Sequence, residues 1–98
     1  MFYLNNEGRP ATIYIDEKGH MATDGDIEFL HKFARIIGLM PGWFQPCNKK
    51  KTVPHPHYDL TTDRMRIRAA RYGAVKITSK DMVLMFREKQ ERQARKDG

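Results

Sequence analysis

The sequence predicts a small α/β domain of two or three layers, with a short parallel sheet of about three strands and three helices. Three observations carry that expectation. Short runs rich in β-branched and aromatic residues, "ATIYID" at 11–16 and "AVKIT" at 74–78, are separated by longer stretches with apolar residues at helical spacing. Those longer stretches open near Thr, Asp or Ser and close, in the first two cases, at Gly38 and Gly73. Finally, 98 residues make one domain, able to hide somewhat more than ~60% of the surface its unfolded chain exposes. The domain is expected to span 1–98, with its core over about 11–87 and 88–98 forming the basic, charged end of the last helix.

The elements follow in order. "ATIYID" is bounded by Pro10 and by "EKGH" and reads as a buried strand with Asp16 at its carboxyl end. In "IEFLHKFARIIGL", Ile27, Leu30, Ala34 and Ile37 form an apolar stripe, Thr23 or Asp24 offers an N-cap and Gly38 a C-cap. "PGWFQP" at 41–46 is compatible with a brief second strand that places Trp43 and Phe44 in the core. A second helix, "DRMRIRAARYG", starts after Thr61 or Thr62 and ends at Gly73. After "AVKIT", Ser79 can cap a last helix whose Met82, Val83 and Phe86 share one face.

Composition narrows the classes. Hydrophobic residues make up 40% and charged residues 31%, the balance of a folded domain rather than a disordered chain. No apolar run approaches the ~20 residues of a membrane helix. "MFYLNNEGRP" lacks the basic start and apolar middle of a signal peptide. On these features the protein is expected in the cytoplasm, away from membranes. Cys47 is the only cysteine, so no internal disulfide can form. A net charge of +6 favours phosphates, nucleic acid or an acidic protein surface as partner. The charge concentrates in "NKKK" at 48–51 and in "REKQERQARKDG", where Glu88 precedes Arg92, and Glu91 precedes Arg95, by four positions, the spacing of solvated helix pairs.

If the strands all run parallel, the segments "DEKGHMATD", "HPHYDLTT" and "TSKD" lie on the carboxyl rim, where open α/β sheets bind ligands. Asp16, His20, Asp24, His57, Tyr58 and Asp59 would then face one pocket. Three chemistries suit them. Two histidines with one or two carboxylates can hold a divalent metal such as zinc or manganese. Helix N-termini at Asp24, Thr62 and Ser79, with Arg64 and a histidine, can cradle a phosphate or nucleotide. A neutral histidine beside a carboxylate is also a competent general base. His31 lies on the apolar stripe, roughly 10 Å along a helix rising about 1.5 Å per residue, and reads as a hydrogen-bonded structural histidine. Arg64, Arg68 and Arg71 share a helix face and, with Lys49, Lys50 and Lys51, compose an alternative nucleic-acid surface. No nucleic-acid motif accompanies them.

"IYIDE", "HMATD", "LHKFARIIGLMPGWFQ", "HYDL" and "GAVKITSKDMV" occur here in an order and wording that resemble domain-of-unknown-function family 4031, small bacterial and phage proteins. The resemblance covers about residues 12–87. Carried over position by position, it points to Asp16, His20, Asp24, His31, His57, Tyr58, Asp59 and Arg64, and it leaves His31 open between structural residue and neighbour of the site. Two departures stand out: "EKG" replaces a longer tryptophan-containing loop, and "PCNKKKTVPHP" looks like an insertion before "HYDL". The family brings no established reaction.

The leading reading is a pocket that binds a phosphate-containing ligand or nucleotide, with a divalent metal as candidate cofactor. His20, His57 and Asp59 would carry any chemistry, while Asp16, Asp24, His31, Tyr58 and Arg64 would bind the ligand. Whether a reaction is catalysed is left open by the sequence. The competing readings are a nucleic-acid-binding module and a phage accessory protein that acts on a host protein through its basic tail.

Overall fold

The computed structural model describes residues 11–46 and 55–97. In chain order these form β1 (Ile13–Ile15), β2 (His20–Thr23), α1 (Ile27–Ile36), a 3-10 turn (Pro41–Trp43), β3 (Phe44–Gln45), β4 (His57–Asp59), α2 (Asp63–Arg71), β5 (Val75–Lys76) and α3 (Ser79–Asp97). The strands join in one five-stranded sheet of order β3-β4-β2-β1-β5. The α/β class is as expected, but the sheet is mixed rather than parallel and has more strands. β1 and β5 run parallel, with Tyr14 opposite Val75, whereas β1–β2, β2–β4 and β3–β4 are antiparallel.

The departure from a parallel sheet starts at "DEKGH". Gly19 adopts φ +86°, a region L-residues rarely enter. The Gly19 N–H donates to the Asp16 carbonyl at 3.1 Å, and the Asp16 N–H to the His20 carbonyl at 3.1 Å. This is a hairpin loop closed by a glycine, and it returns the chain as β2, the "HMAT" expected as part of a rim loop ahead of the first helix. "HYD", expected as part of a rim loop, is β4, held between β2 and β3.

Side-chain alternation divides the molecule into three layers. Ile13, Ile15, Met21 and Tyr58 pack against Phe29, Leu30, Phe33 and Ile37 around α1, with Ala69 of α2 and Leu60 in the same cluster. On the other face, Ala22 and Tyr14 meet Met82, Met85 and Phe86 of α3. Val83, expected beside them, is 50% exposed. Trp43 is also outside the core, 45% exposed in the 3-10 turn that precedes an edge strand.

Helix ends follow local chemistry. Beyond α1, Gly38 donates to the Arg35 carbonyl at 3.1 Å and Leu39 to Ala34 at 2.8 Å, a Schellman arrangement that Gly73 and Ala74 repeat beyond α2. Thr62 caps α2 as expected, its hydroxyl oxygen accepting the Met65 N–H at 3.2 Å. Two caps differ. Asp26 precedes α1, because Thr23 completes β2 and Asp24 accepts the Thr12 N–H at 2.8 Å. At α3 it is Thr78, not Ser79, whose hydroxyl oxygen accepts the Asp81 N–H at 3.0 Å and whose carbonyl accepts the Met82 N–H at 3.0 Å. The Ser79 N–H goes instead to the Glu17 carboxylate at 3.1 Å. Among the described residues, no helix is long and apolar enough to cross a membrane.

Candidate metal centre

In the antiparallel β2–β4 pair, His20 stands opposite Asp59 and Met21 opposite Tyr58. Met21 and Tyr58 enter the core beneath α1, so the pleat turns His20, His57 and Asp59 to the face that α3 partly covers. Asp16, one residue beyond the inward-facing Ile15, falls on that same face. The rings of His20 and His57 sit edge to face, 4.9 Å apart at 76°. Nε2 of His57 is 3.2 Å, and Nε2 of His20 3.7 Å, from Oδ1 of Asp59. One ligand-type atom from each of His20, His57 and Asp59 lies within 4.8 Å of the others.

What directs both Nε2 atoms inward is what holds both Nδ1 atoms. His57 Nδ1 lies 2.8 Å from the carbonyl of His55; a carbonyl only accepts, so Nδ1 carries the proton. His20 Nδ1 lies 2.9 Å from Oδ2 of Asp16, whose Oδ1 accepts the backbone N–H of His20 at 2.9 Å and of Lys18 at 3.0 Å. Burial by itself would push the Asp16 carboxyl up, but these hydrogen bonds and the charge of the His20 ring outweigh it and hold the group below its ordinary range. Asp16 is therefore an acceptor, and Nδ1 of His20 donates to it. In each neutral imidazole the lone pair is then on Nε2. With both rings neutral, three electron-rich atoms would face one another, an arrangement that calls for a positive charge among them: a second proton on an imidazole, or a cation.

Exposure is graded in the sense a ligand site requires. The Asp16 side chain is 2% exposed and His57 15%, while His20 and Asp59 reach 39% and 45%. The orienting Asp16 is enclosed, while His20 and Asp59, two of the three ligand-type side chains, are open to solvent. The hairpin beneath is fixed from several directions. Leu60 donates its N–H to the Gly19 carbonyl at 2.8 Å. Arg66 donates from Nε to the Leu60 carbonyl at 3.1 Å and from Nη2 to the Lys18 carbonyl at 3.3 Å. No sequence signal marks Arg66, and none marks the His55 carbonyl, since a backbone acceptor has no residue type.

The remaining sequence candidates are elsewhere. Asp24 follows the opposite end of β2, roughly 13 Å along the strand from His20 at about 3.3 Å per residue, where it also takes the Tyr14 hydroxyl at 3.4 Å. The antiparallel hairpin carries it away from the rim that a parallel sheet would share. Tyr58 points to the other face, its hydroxyl 2.7 Å from Nδ1 of His31, whose ring meets Phe44 edge-on at 4.6 Å. Burial pushes the Tyr58 hydroxyl up, against the opposing charge of Arg35. Arg64 is exposed on the first turn of α2, and Arg71 is exposed at that helix's end. Arg68 donates to the Ile37 carbonyl at 3.1 Å, so it braces α1. Lys49, Lys50 and Lys51 lie outside the described residues.

Fold and site together define a small three-layer α/β domain with a two-histidine, one-carboxylate cluster on the α3 side of its sheet. The chain belongs to the family described as "Protein of unknown function (DUF4031)", which matches residues 12–89. No curated protein and no solved structure matches it.

Proposed function

We propose that His20, His57 and Asp59 bind a divalent transition-metal ion, and that the ion presents its open coordination positions to a phosphate-containing ligand. The observation that carries this reading is the convergence of two Nε2 atoms on one Asp59 oxygen, with each Nδ1 already committed to an acceptor. Metal-binding histidines are oriented in this way by carboxylates and backbone carbonyls. Two imidazoles and a carboxylate suit zinc, manganese or ferrous iron and leave room for water or ligand. Bound there, the ion would act as a Lewis acid and make its water a nucleophile near neutral pH, the chemistry of phosphate-ester hydrolysis. The chain supplies the rest. Asp16 and the His55 carbonyl fix the imidazoles, and Lys18 stands on the turn between Asp16 and His20. An overall charge of +6 draws an anion toward the protein.

Calorimetric titration of the metal-free chain with Zn²⁺ or Mn²⁺, then of the loaded chain with inorganic phosphate, tests both halves. Metal binding followed by metal-dependent phosphate binding supports the proposal. Absence of metal binding overturns the centre; metal binding without phosphate binding overturns the ligand assignment.

A further inference from the structure

Between the start of α1 and the middle of α3 lies a cleft of about 380 Å³, whose walls include Asp26, Glu28, Phe86, Lys89, Gln90 and Gln93. That volume is within the range of roughly 300–1,000 Å³ typical of small-ligand sites. The cleft borders the metal-type cluster. Pro56, also in its wall, immediately precedes His57, and Phe86 meets the His55 ring edge-on at 6.0 Å. His55 in turn stacks on His57 at 5.7 Å and 12°.

The cleft's chemistry selects its occupant. Lys89 brings one positive charge while Asp26 and Glu28 bring two negative ones, a balance that disfavours a phosphate or carboxylate inside. Gln90 and Gln93, three apart and both exposed, project from neighbouring positions of α3, each offering a donor and an acceptor. Lys89 Nζ donates to the Thr23 carbonyl at 3.1 Å, which uses one of its three protons. Burial pulls its pKa down against the charges of Asp24 and Asp26, as expected for an ammonium drawn into the cleft wall. A neutral group with both donors and acceptors on its edge matches these walls, and a nucleobase is such a group. Lys89 is anchored at Thr23, three positions from His20 on β2, or roughly 10 Å at about 3.3 Å per residue. A nucleoside monophosphate spans a comparable length from the outer edge of its base to its phosphate.

We propose that the cleft holds the base of a nucleotide whose phosphate is bound at the His20–His57–Asp59 cluster. The proposal rests on the metal reading above and names the ligand class for it. The test is calorimetry on the Mn²⁺-loaded chain with AMP, GMP, CMP, UMP, ribose 5-phosphate and inorganic phosphate, repeated for the Gln90→Ala/Gln93→Ala double variant. At least one nucleotide should bind about tenfold more tightly than ribose 5-phosphate, the worth of one or two well-placed hydrogen bonds. In the double variant that advantage should vanish, with Mn²⁺ and ribose 5-phosphate affinities unchanged. Nucleotides that bind no better than ribose 5-phosphate, or an advantage that survives the double substitution, overturn the base cleft alone. Failure of Mn²⁺ itself to bind overturns the metal reading and this one with it.

Discussion

Asp16 holds His20 at two points: its Oδ2 lies 2.9 Å from the ring Nδ1 and its Oδ1 2.9 Å from the backbone N–H. One enclosed carboxylate thus sets the start of β2 and the direction of the imidazole. Asp16→Asn would place an amide there, able to donate to Nδ1 and to favour the tautomer with hydrogen on Nε2, pointed at Asp59. Metal affinity should fall about 10- to 100-fold, the usual effect of removing such an orienting group, while circular dichroism stays that of the wild type. Unchanged affinity in a folded variant would show that Asp16 does not orient a ligand.

The same carboxylate makes stability depend on acid. Its folded pKa is depressed from 3.8, so folding favours the ionised form. That contribution is fully present above pH 3.8 and is lost as pH falls through the lower folded value. Unfolding midpoints measured on acidification should decline more steeply in the wild type than in Asp16→Asn. Parallel curves would remove Asp16 from the acid response.

Gly19 combines φ +86° with close surroundings. A Cβ there would come within 2.6 Å of the Leu60 carbonyl oxygen and of Arg66 Nη2. The arginine can move, but the carbonyl belongs to a backbone that Gly19 itself pairs with. Gly19→Ala should cost about 1–3 kcal/mol in urea unfolding and weaken metal binding, because His20 is the next residue. A change within about 0.5 kcal/mol, ordinary for surface substitutions, would mean that the hairpin is not constrained as described.

Tyr58 separates the two faces of β4. Tyr58→Phe removes the hydroxyl beside His31 and should cost about 0.5–1.5 kcal/mol of stability, with metal affinity unaltered. Weaker metal binding at unchanged stability would place Tyr58 with the site after all.

Much of the helical scaffold is legible in the sequence because its signals are local. Leu30, Ala34 and Ile37 recur at helical spacing and are all buried, and Gly38 and Gly73 close helices where glycines are expected to. The strands are less legible because tertiary pairing decides them. "HMAT" and "HYD" are too short and too mixed to announce themselves, and they are strands because each finds a partner across β2–β4. The glycine in "DEKGH" is a readable hairpin signal that the alternation of strand-like and helix-like runs obscures. His20, His57 and Asp59 stand out as residue types, but their shared face follows only once β4 is a strand. The pleat then keeps His57 and Asp59 together and sends Tyr58, between them, to the opposite side.

The most direct measurement is the calorimetric titration of metal-free wild type and His57→Ala with Zn²⁺, after circular dichroism and thermal unfolding have shown both to be folded. Wild type should bind a single ion per chain, and affinity should be lower by more than about 100-fold in the variant, since a ligand is lost and not merely its orienting partner. Equal affinity in both proteins, or no binding by the wild type, would contradict the proposed metal centre.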